Sequence, residues 1–217
     1  YGLSTPYKQF AAKDDPLVGA ALRGSALGLN FTKKLNRFVR LHFDGYYITN
    51  PLDVAKIKGD IQATFPPDAK VIFNGGSYKE YALQFGFGCE LPIITEKVFF
   101  NVKATTGLVK ATLPTTEEHV SGNDQYGPFT INYQRYPLKN SSGMGFCFSS
   151  GLRMPVSKLI NINLQYTYFM SKAEYREVKS EYSGTTSRPG YYIPSRTRTT
   201  SIQQKISTGI YSIGMSF

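Results

Sequence analysis

The most regular feature of this sequence is an alternation of large apolar residues with small or polar ones, in blocks of about ten residues. In the last block Ser212, Gly214 and Ser216 alternate with the apolar set Tyr211, Ile213, Met215 and Phe217. Successive side chains of a β-strand point to opposite faces, so this period of two predicts strands with one apolar face. Helical periodicity is nearly absent, and the sequence therefore predicts an all-β, antiparallel fold.

The two faces of these strands differ in a way that favours lipid. A second block places Tyr81, Leu83, Phe85 and Phe87 opposite Ala82, Gln84, Gly86, Gly88 and Glu90. Strands of a soluble antiparallel sheet alternate too, but a soluble sandwich keeps its bulky side chains inside. Here the apolar faces carry aromatic residues near their ends, whereas Gly, Ser, Asn and Gln suit a narrow, hydrogen-bonded barrel interior. We therefore predict a transmembrane β-barrel. The mean hydropathy of -0.27 agrees, because only alternate residues of such a barrel face lipid.

The connections between strands support the same architecture. Strand-like runs lie near 17–31, 37–49, 77–91, 98–109, 143–154, 159–171 and 201–217, which makes seven. Short turns alternate with long connections near 50–77, 110–142 and 172–201. Outer-membrane barrels have short periplasmic turns and long extracellular loops. The sequence therefore predicts one domain, residues 1–217, in which these three long connections are extracellular loops.

Seven strands leave the predicted barrel one strand short. Single-chain bacterial barrels have an even number of strands, and an open edge in lipid is costly because its backbone groups lack partners. We therefore expect eight strands. If the last strand runs towards the periplasm, the run at 17–31 does so too, and the first strand is then expected before Tyr1. The alternative is an irregular eighth strand within residues 1–16.

Composition narrows the functional class. The formal net charge is +10, but only 18% of residues are charged, and the basic ones are scattered rather than clustered on one face. A nucleic-acid partner is therefore not expected. Cys89 and Cys147 lack metal-ligand spacing, and we expect no metal site and no cofactor. His119 lies beside Glu117 and Glu118 in a predicted loop, where a solvated histidine is the ordinary interpretation.

Five segments resemble one family of membrane proteins. The run Gly209-Ile-Tyr-Ser-Ile-Gly-Met-Ser-Phe217 resembles the C-terminal strand signature of outer-membrane proteins. Leu17 to Leu22 and Phe31 to Leu41 resemble the second and third strands of the OmpX/OmpA-like, eight-stranded "porin family" barrels, and Tyr81 to Leu108 and Gly143 to Tyr168 resemble the next four. The resemblance implies an outer membrane of a Gram-negative bacterium, contact with its lipid and lipopolysaccharide, and recognition of the C-terminal strand by the barrel-assembly machinery.

Seven charged residues fall on the predicted inner face. They are Arg23, Arg40, His42, Asp44, Glu90, Lys103 and Arg153. The interior of an eight-stranded barrel is only wide enough for side chains, so these groups are expected to form a polar network in which charges pair. A pore lining or proton path is the alternative. The word "porin" in the family name does not by itself imply a conducting channel.

His42 and Asp44 are two residues apart and share a strand face, which suits a general base and its orienting carboxylate. A lipid-modifying barrel enzyme would also need a nucleophile, for which Ser25 on the neighbouring strand is the candidate. Nothing in the sequence fixes that geometry. A structural role for His42 is favoured, and we expect no catalytic residues.

The third long connection is the best candidate for an interaction surface. It combines tyrosines with basic residues, and both Tyr and Arg are enriched at protein interfaces. The residues are Tyr175, Arg176, Tyr182, Tyr191, Tyr192, Arg196 and Arg198. We predict a non-enzymatic structural or accessory subunit of a larger outer-membrane assembly, with other outer-membrane proteins as partners. The alternatives are a narrow passive pore and a lipid-modifying enzyme.

Overall fold

The structure, a computed structural model, describes residues 1–7, 10–11, 20–94, 97–157 and 159–216. In these ranges one helix, α1 (Val54–Gln62), accompanies eleven strands. The strands are β1 (Gly2–Pro6), β2 (Gly24–Lys34), β3 (Val39–Pro51), β4 (Lys70–Gly75), β5 (Ser77–Ile94), β6 (Val98–Thr112), β7 (Thr116–Asp124), β8 (Gly127–Pro137), β9 (Ser141–Pro155), β10 (Asn161–Thr186) and β11 (Arg196–Ser216). Every strand pairing is antiparallel, so the predicted all-β, antiparallel class is confirmed. Helix α1 is too short to cross a membrane, and the described ranges hold no other helix that could do so.

The strands form one sheet in the order β11-β1-β2-β3-β5-β6-β9-β10-β8-β7-β4. Strand β10 is long enough to pair with two different strands along one of its edges. Its first part, from Asn161 to Ser171, pairs with β9, and its last part, from Val178 to Thr186, pairs with β8. On its other side β10 pairs with β11, which also pairs with β1.

All seven predicted strand-like runs contain a strand. The run at 17–31 holds β2, which begins only at Gly24; residues 17–19 lie outside the described ranges. Residues 1–16 contain a strand that the pattern did not predict, β1, which pairs with β2 on one side and with β11 on the other. Five residues ending in a proline are too few to display a two-residue period, which is why β1 escaped recognition.

The three long connections contain regular secondary structure that the pattern did not predict. The segment 50–77 contains α1 and β4, and the segment 110–142 contains β7 and β8. The segment 172–201 continues β10 to Thr186 and starts β11 at Arg196. Together β4, β7, β8 and the adjoining ends of β10 and β11 form what we call the extension sheet. Strands β4 and β7 are only six and nine residues long, which is shorter than the blocks of about ten residues that mark the other strands.

Helix α1 covers one face of the extension sheet. Asp53 caps its first turn, accepting a hydrogen bond from the backbone N–H of Lys56 at 3.0 Å. Ile61 packs on a small core formed by Ala69, Val71, Val120 and Phe129. A larger apolar core lies between the remaining strands and includes Phe10, Ile48, Tyr78, Phe169 and Ile206.

Candidate functional site

The eight strands β1, β2, β3, β5, β6, β9, β10 and β11 carry many of their large apolar residues on an exposed face, while the larger apolar core and buried polar side chains share the other face. We call the exposed surface the apolar belt: Leu27, Leu29, Phe31, Phe43, Leu83, Phe85, Phe87, Leu91, Leu108, Phe146, Phe148, Leu164, Ile213 and Met215. The exposed fraction reaches 73% for Met215 and 72% for Leu29. Polar side chains from the same strands, such as Gln84 and Thr167, are buried on the opposite face. This distribution is the reverse of that in a water-soluble sheet, where apolar side chains are covered.

A buried ion pair lies at the centre of the polar face. Lys103 Nζ on β6 donates to Asp44 Oδ2 on β3 at 2.6 Å, and both side chains are almost completely buried. The Tyr46 hydroxyl donates to the same carboxylate oxygen at 3.1 Å, and the Asn30 amide donates to Oδ1. Because a buried charge is costly unless it is paired and hydrogen-bonded, these contacts offset the cost of burying the Asp44–Lys103 pair.

A second cluster joins three predicted residues of the network. Arg40 Nη2 donates to Glu90 Oε1 at 2.5 Å, while Arg153 reaches both oxygens of that carboxylate, at 2.6 Å and 3.0 Å. The Arg153 guanidinium also stacks over the Phe99 ring at 4.2 Å and donates to Asn161 Oδ1 at 2.8 Å. Two-point contact with a carboxylate fixes the arginine geometrically as well as electrostatically. Strands β3, β5, β9 and β10 are thereby tied together.

Neutral polar pairs fill the space beside these charges, and sequence reasoning missed them. Thr105 Oγ1 donates to Gln84 Oε1 at 2.7 Å, and the hydroxyls of Ser149 and Thr167 lie 2.8 Å apart. All four side chains are buried. Their alternation with large apolar residues was visible in the sequence, but only the strand register shows which of them meet.

The predicted network residue Arg23 lies elsewhere. Its side chain is exposed just before β2, and among the described residues no hydrogen bond or ion pair joins it to the other six. Residues 20–23 precede the strand, so the two-residue alternation does not extend to Arg23.

His42 is held by polar neighbours and not by Asp44. Its Nδ1 lies 3.3 Å from the Asn30 amide and 3.2 Å from Thr32 Oγ1. In the strand register His42 faces Thr32, whereas Ser25 faces Thr49, seven residues along β3. At about 3.4 Å per residue, Ser25 is therefore roughly 24 Å away from His42 along the strand. The structure does not bring the candidate nucleophile, base and carboxylate together.

The C-terminal strand presents its predicted signature on the apolar belt side. Tyr211, Ile213 and Met215 are all more than half exposed, and they alternate with Ser212, Gly214 and Ser216. Phe217 lies outside the described residues.

The predicted interaction surface is divided by the structure. Tyr175 does not belong to it: its side chain is 1% exposed and packs in the larger apolar core, because its strand position faces the interior. Tyr182 is half-buried within the extension sheet, and Arg176, Arg196 and Arg198 are exposed.

The two remaining tyrosines lie at the tip of the β10–β11 hairpin and are strongly exposed. Tyr192 is 78% exposed. The Arg188 guanidinium lies over the ring of Tyr191 at 5.1 Å and over that of Tyr126, from the β7–β8 turn, at 4.9 Å. The Ser187 backbone N–H donates to the Pro128 carbonyl at 3.1 Å, so the two hairpin tips are joined. We call Tyr126, Arg188, Tyr191 and Tyr192 the tip cluster.

The extension sheet also has a concave polar face that borders a cavity of about 560 Å³. His119 Nδ1 lies 2.7 Å from Asn132 Oδ1, and Gln134 donates to Glu117 Oε1 at 3.0 Å. Burial raises the pKa of the Glu118 carboxyl above its ordinary value. His119 is therefore part of a paired strand and not of a solvated loop. Within the described ranges no group of three or more His, Cys, Asp or Glu side chains is arranged to hold a metal ion.

The chain matches no protein-family model, and no curated protein has a significantly similar sequence. Function is therefore inferred from the geometry.

Proposed function

We propose that this chain is an outer-membrane β-barrel that serves as a non-enzymatic structural or accessory subunit of a larger membrane assembly. One observation carries the membrane part: the apolar belt is exposed while charged and polar side chains are buried. Full burial of one large apolar side chain is worth about 1.5–3 kcal/mol, so a belt of this size is unfavourable in water and favourable in lipid.

The strand pairings support closure into a barrel of eight strands. Strand β1 has β2 and β11 as neighbours, and β10 has β9 and β11, which are the contacts that closure requires. A closed barrel leaves no strand edge in lipid, where unpaired backbone groups are costly. The short turns then lie on the periplasmic side, and the extension sheet lies outside the cell. The OmpX/OmpA-like family remains the proposed relative.

The accessory role rests on the filled interior and on the exposed tip cluster. The interior is occupied by the ion pairs and by the larger apolar core, which argues against a conducting pore. His42 lacks the partners that catalysis would require. The tip cluster, by contrast, presents tyrosines and an arginine on an ordered support, the composition that dominates binding energy in protein interfaces. Other outer-membrane proteins are its proposed partners.

The test is the native mass, with subunit identification, of the complex extracted in mild detergent from its own membrane. We expect a heteromeric complex of fixed stoichiometry. The double variant Arg188→Ala/Tyr192→Ala should release the subunit, whereas Lys58→Ala, an exposed change on α1, should leave the complex intact. A lone wild-type monomer would contradict the accessory role, and stepwise conductance of the purified protein in a planar bilayer would favour a pore instead.

A further inference from the structure

A groove crosses the apolar belt near the end that carries the extension sheet. Its volume is about 830 Å³, and its apolar walls include Leu27, Leu29, Leu83 and Leu108. Gly45 leaves a gap in the middle: a Cβ built there would meet only Leu83 Cδ2, at 3.7 Å. The neighbouring belt positions carry large side chains, so the missing side chain at Gly45 gives this part of the surface its depth. A groove of this size and lining suits hydrocarbon.

One row of side chains closes the groove towards the extension sheet. Tyr47, Tyr81, Lys110 and Ser142 are successive cross-strand neighbours on β3, β5, β6 and β9. The Tyr47 and Tyr81 rings are 4.9 Å apart. Tyrosines at one edge of an apolar band are typical of the level at which lipid head groups begin.

The row above this one is entirely polar and carries a second lysine. Lys79 on β5 faces Thr49 on β3 and Thr112 on β6, and the Thr112 hydroxyl donates to Asn140 Oδ1 at 2.9 Å. Lys79 and Lys110 are both exposed, and in the described part of the chain neither forms an ion pair with a carboxylate. The apolar groove therefore ends at two lysines, Lys79 and Lys110, that have no carboxylate partner among the described residues.

We call this end of the groove, with Lys79 and Lys110, the rim. The two lysines give the rim a positive potential at the level where a lipid head group would lie.

We propose that the groove binds a membrane lipid with an anionic head group, with its acyl chains along Leu29, Gly45 and Leu83 and its phosphate at Lys79 and Lys110. The site rests on the proposed function, since it requires that the belt be embedded in a bilayer. Beyond the proposed function, the lipid site means that this part of the belt selects one class of lipid, whereas the rest of the belt contacts any bilayer lipid. A lipid with an anionic head group matches both the apolar lining and the positive rim, whereas an apolar segment of another protein would match only the lining.

The absence of tryptophan from the chain allows a direct test, because a single introduced tryptophan reports alone. The full chain carrying Leu83→Trp in the groove is reconstituted in vesicles, as is a control chain carrying Phe148→Trp, elsewhere on the belt. Each is quenched by phosphatidylglycerol or by phosphatidylcholine, both brominated at the same acyl carbons. Since the bromine depth is the same, the ratio of the two quenching constants at one position measures lipid selectivity alone.

We expect the groove tryptophan to prefer the anionic lipid by about fivefold for each lysine engaged, and the control tryptophan to show no preference. Lys79→Gln/Lys110→Gln should abolish the preference, and Gly45→Leu should weaken quenching in the groove only. Equal quenching by both lipids at both positions would overturn the selective site while leaving the membrane barrel intact. Quenching at Phe148→Trp without quenching in the groove would mean that another occupant covers it. Absence of quenching at both positions would instead contradict the membrane location.

Discussion

The eight strands that carry the apolar belt and the extension sheet belong to one continuous sheet, yet their polarity is opposite. Among the eight strands, Leu83 and Leu108 are exposed while Asp44 and Lys103 are buried. In the extension sheet, Val120 is buried on the side of α1, and the other face is polar. Strands β10 and β11 pass through both regions. If the belt faces lipid, as proposed above, the boundary between the two solvents lies within single strands.

The largest effect is expected when one residue of the buried Asp44–Lys103 ion pair is replaced. Lys103→Met leaves the Asp44 carboxylate buried without its cation, and we expect the free energy of unfolding to fall by about 3–5 kcal/mol. Asp44→Leu/Lys103→Met leaves no charge unpaired and should be more stable than the single variant. Urea unfolding in vesicles, followed by heat-modifiable gel migration, measures both. Lys34→Met, at the exposed end of β2, is the control and should change stability by less than about 0.5 kcal/mol. Equal losses of unfolding free energy in Lys103→Met and Lys34→Met would show that water reaches the interior.

A charged residue introduced on the belt tests whether the exposed face of these strands contacts lipid or water. Phe87→Arg, six residues from Tyr81 on the same exposed face of β5, should lower the free energy of unfolding in vesicles by about 2–4 kcal/mol, the cost of an arginine near the middle of a bilayer. Ile72→Arg introduces the same side chain at an exposed position of the extension sheet, where we expect a change within about 0.5 kcal/mol. If both substitutions are tolerated equally, the belt faces water and the proposed membrane location is wrong.

The core of the extension sheet should behave like that of a soluble protein. Val120→Ala removes two buried carbon atoms beside Val71 and Phe129, and we expect the extension to lose roughly 1–3 kcal/mol. Hydrogen exchange followed by mass spectrometry should show faster exchange in β4, β7 and β8 and unchanged protection in β5 and β6. Ile72→Ala, on the other face of β4, is the matched control. Faster exchange throughout the chain would mean that the two regions unfold as one unit.

The smallest effect concerns pH. Because burial raises the folded-state pKa of Glu118, the extension is most stable below the ordinary glutamate pKa of about 4.3. Its stability should fall as the pH rises through the raised pKa, by less than about 1 kcal/mol since the side chain is only half-buried. Proteolysis of the extension between pH 4 and pH 7 measures this dependence. Glu118→Gln should flatten it, whereas Glu117→Gln, an exposed change, should not.

The sequence alone located seven of the eight belt strands and showed which of their faces is apolar, because a two-residue period is a local property. It also placed six of seven charged residues among the buried or partly buried positions of those strands. Tertiary structure decided the rest. Asp44 pairs with Lys103, fifty-nine residues away, and not with His42 two residues away, because strand register and not sequence distance sets the contacts of a sheet.

Pairing between distant segments also decided the elements that sequence patterns missed. β1 is a strand because β2 and β11 flank it, and β7 and β8 are strands because β4 and β10 do. Tyr175 resembles the exposed tyrosines of the tip cluster in composition and neighbours, yet it is buried because its strand position faces the interior. Local alternation determines the two faces of a strand; only its neighbours determine what each face meets.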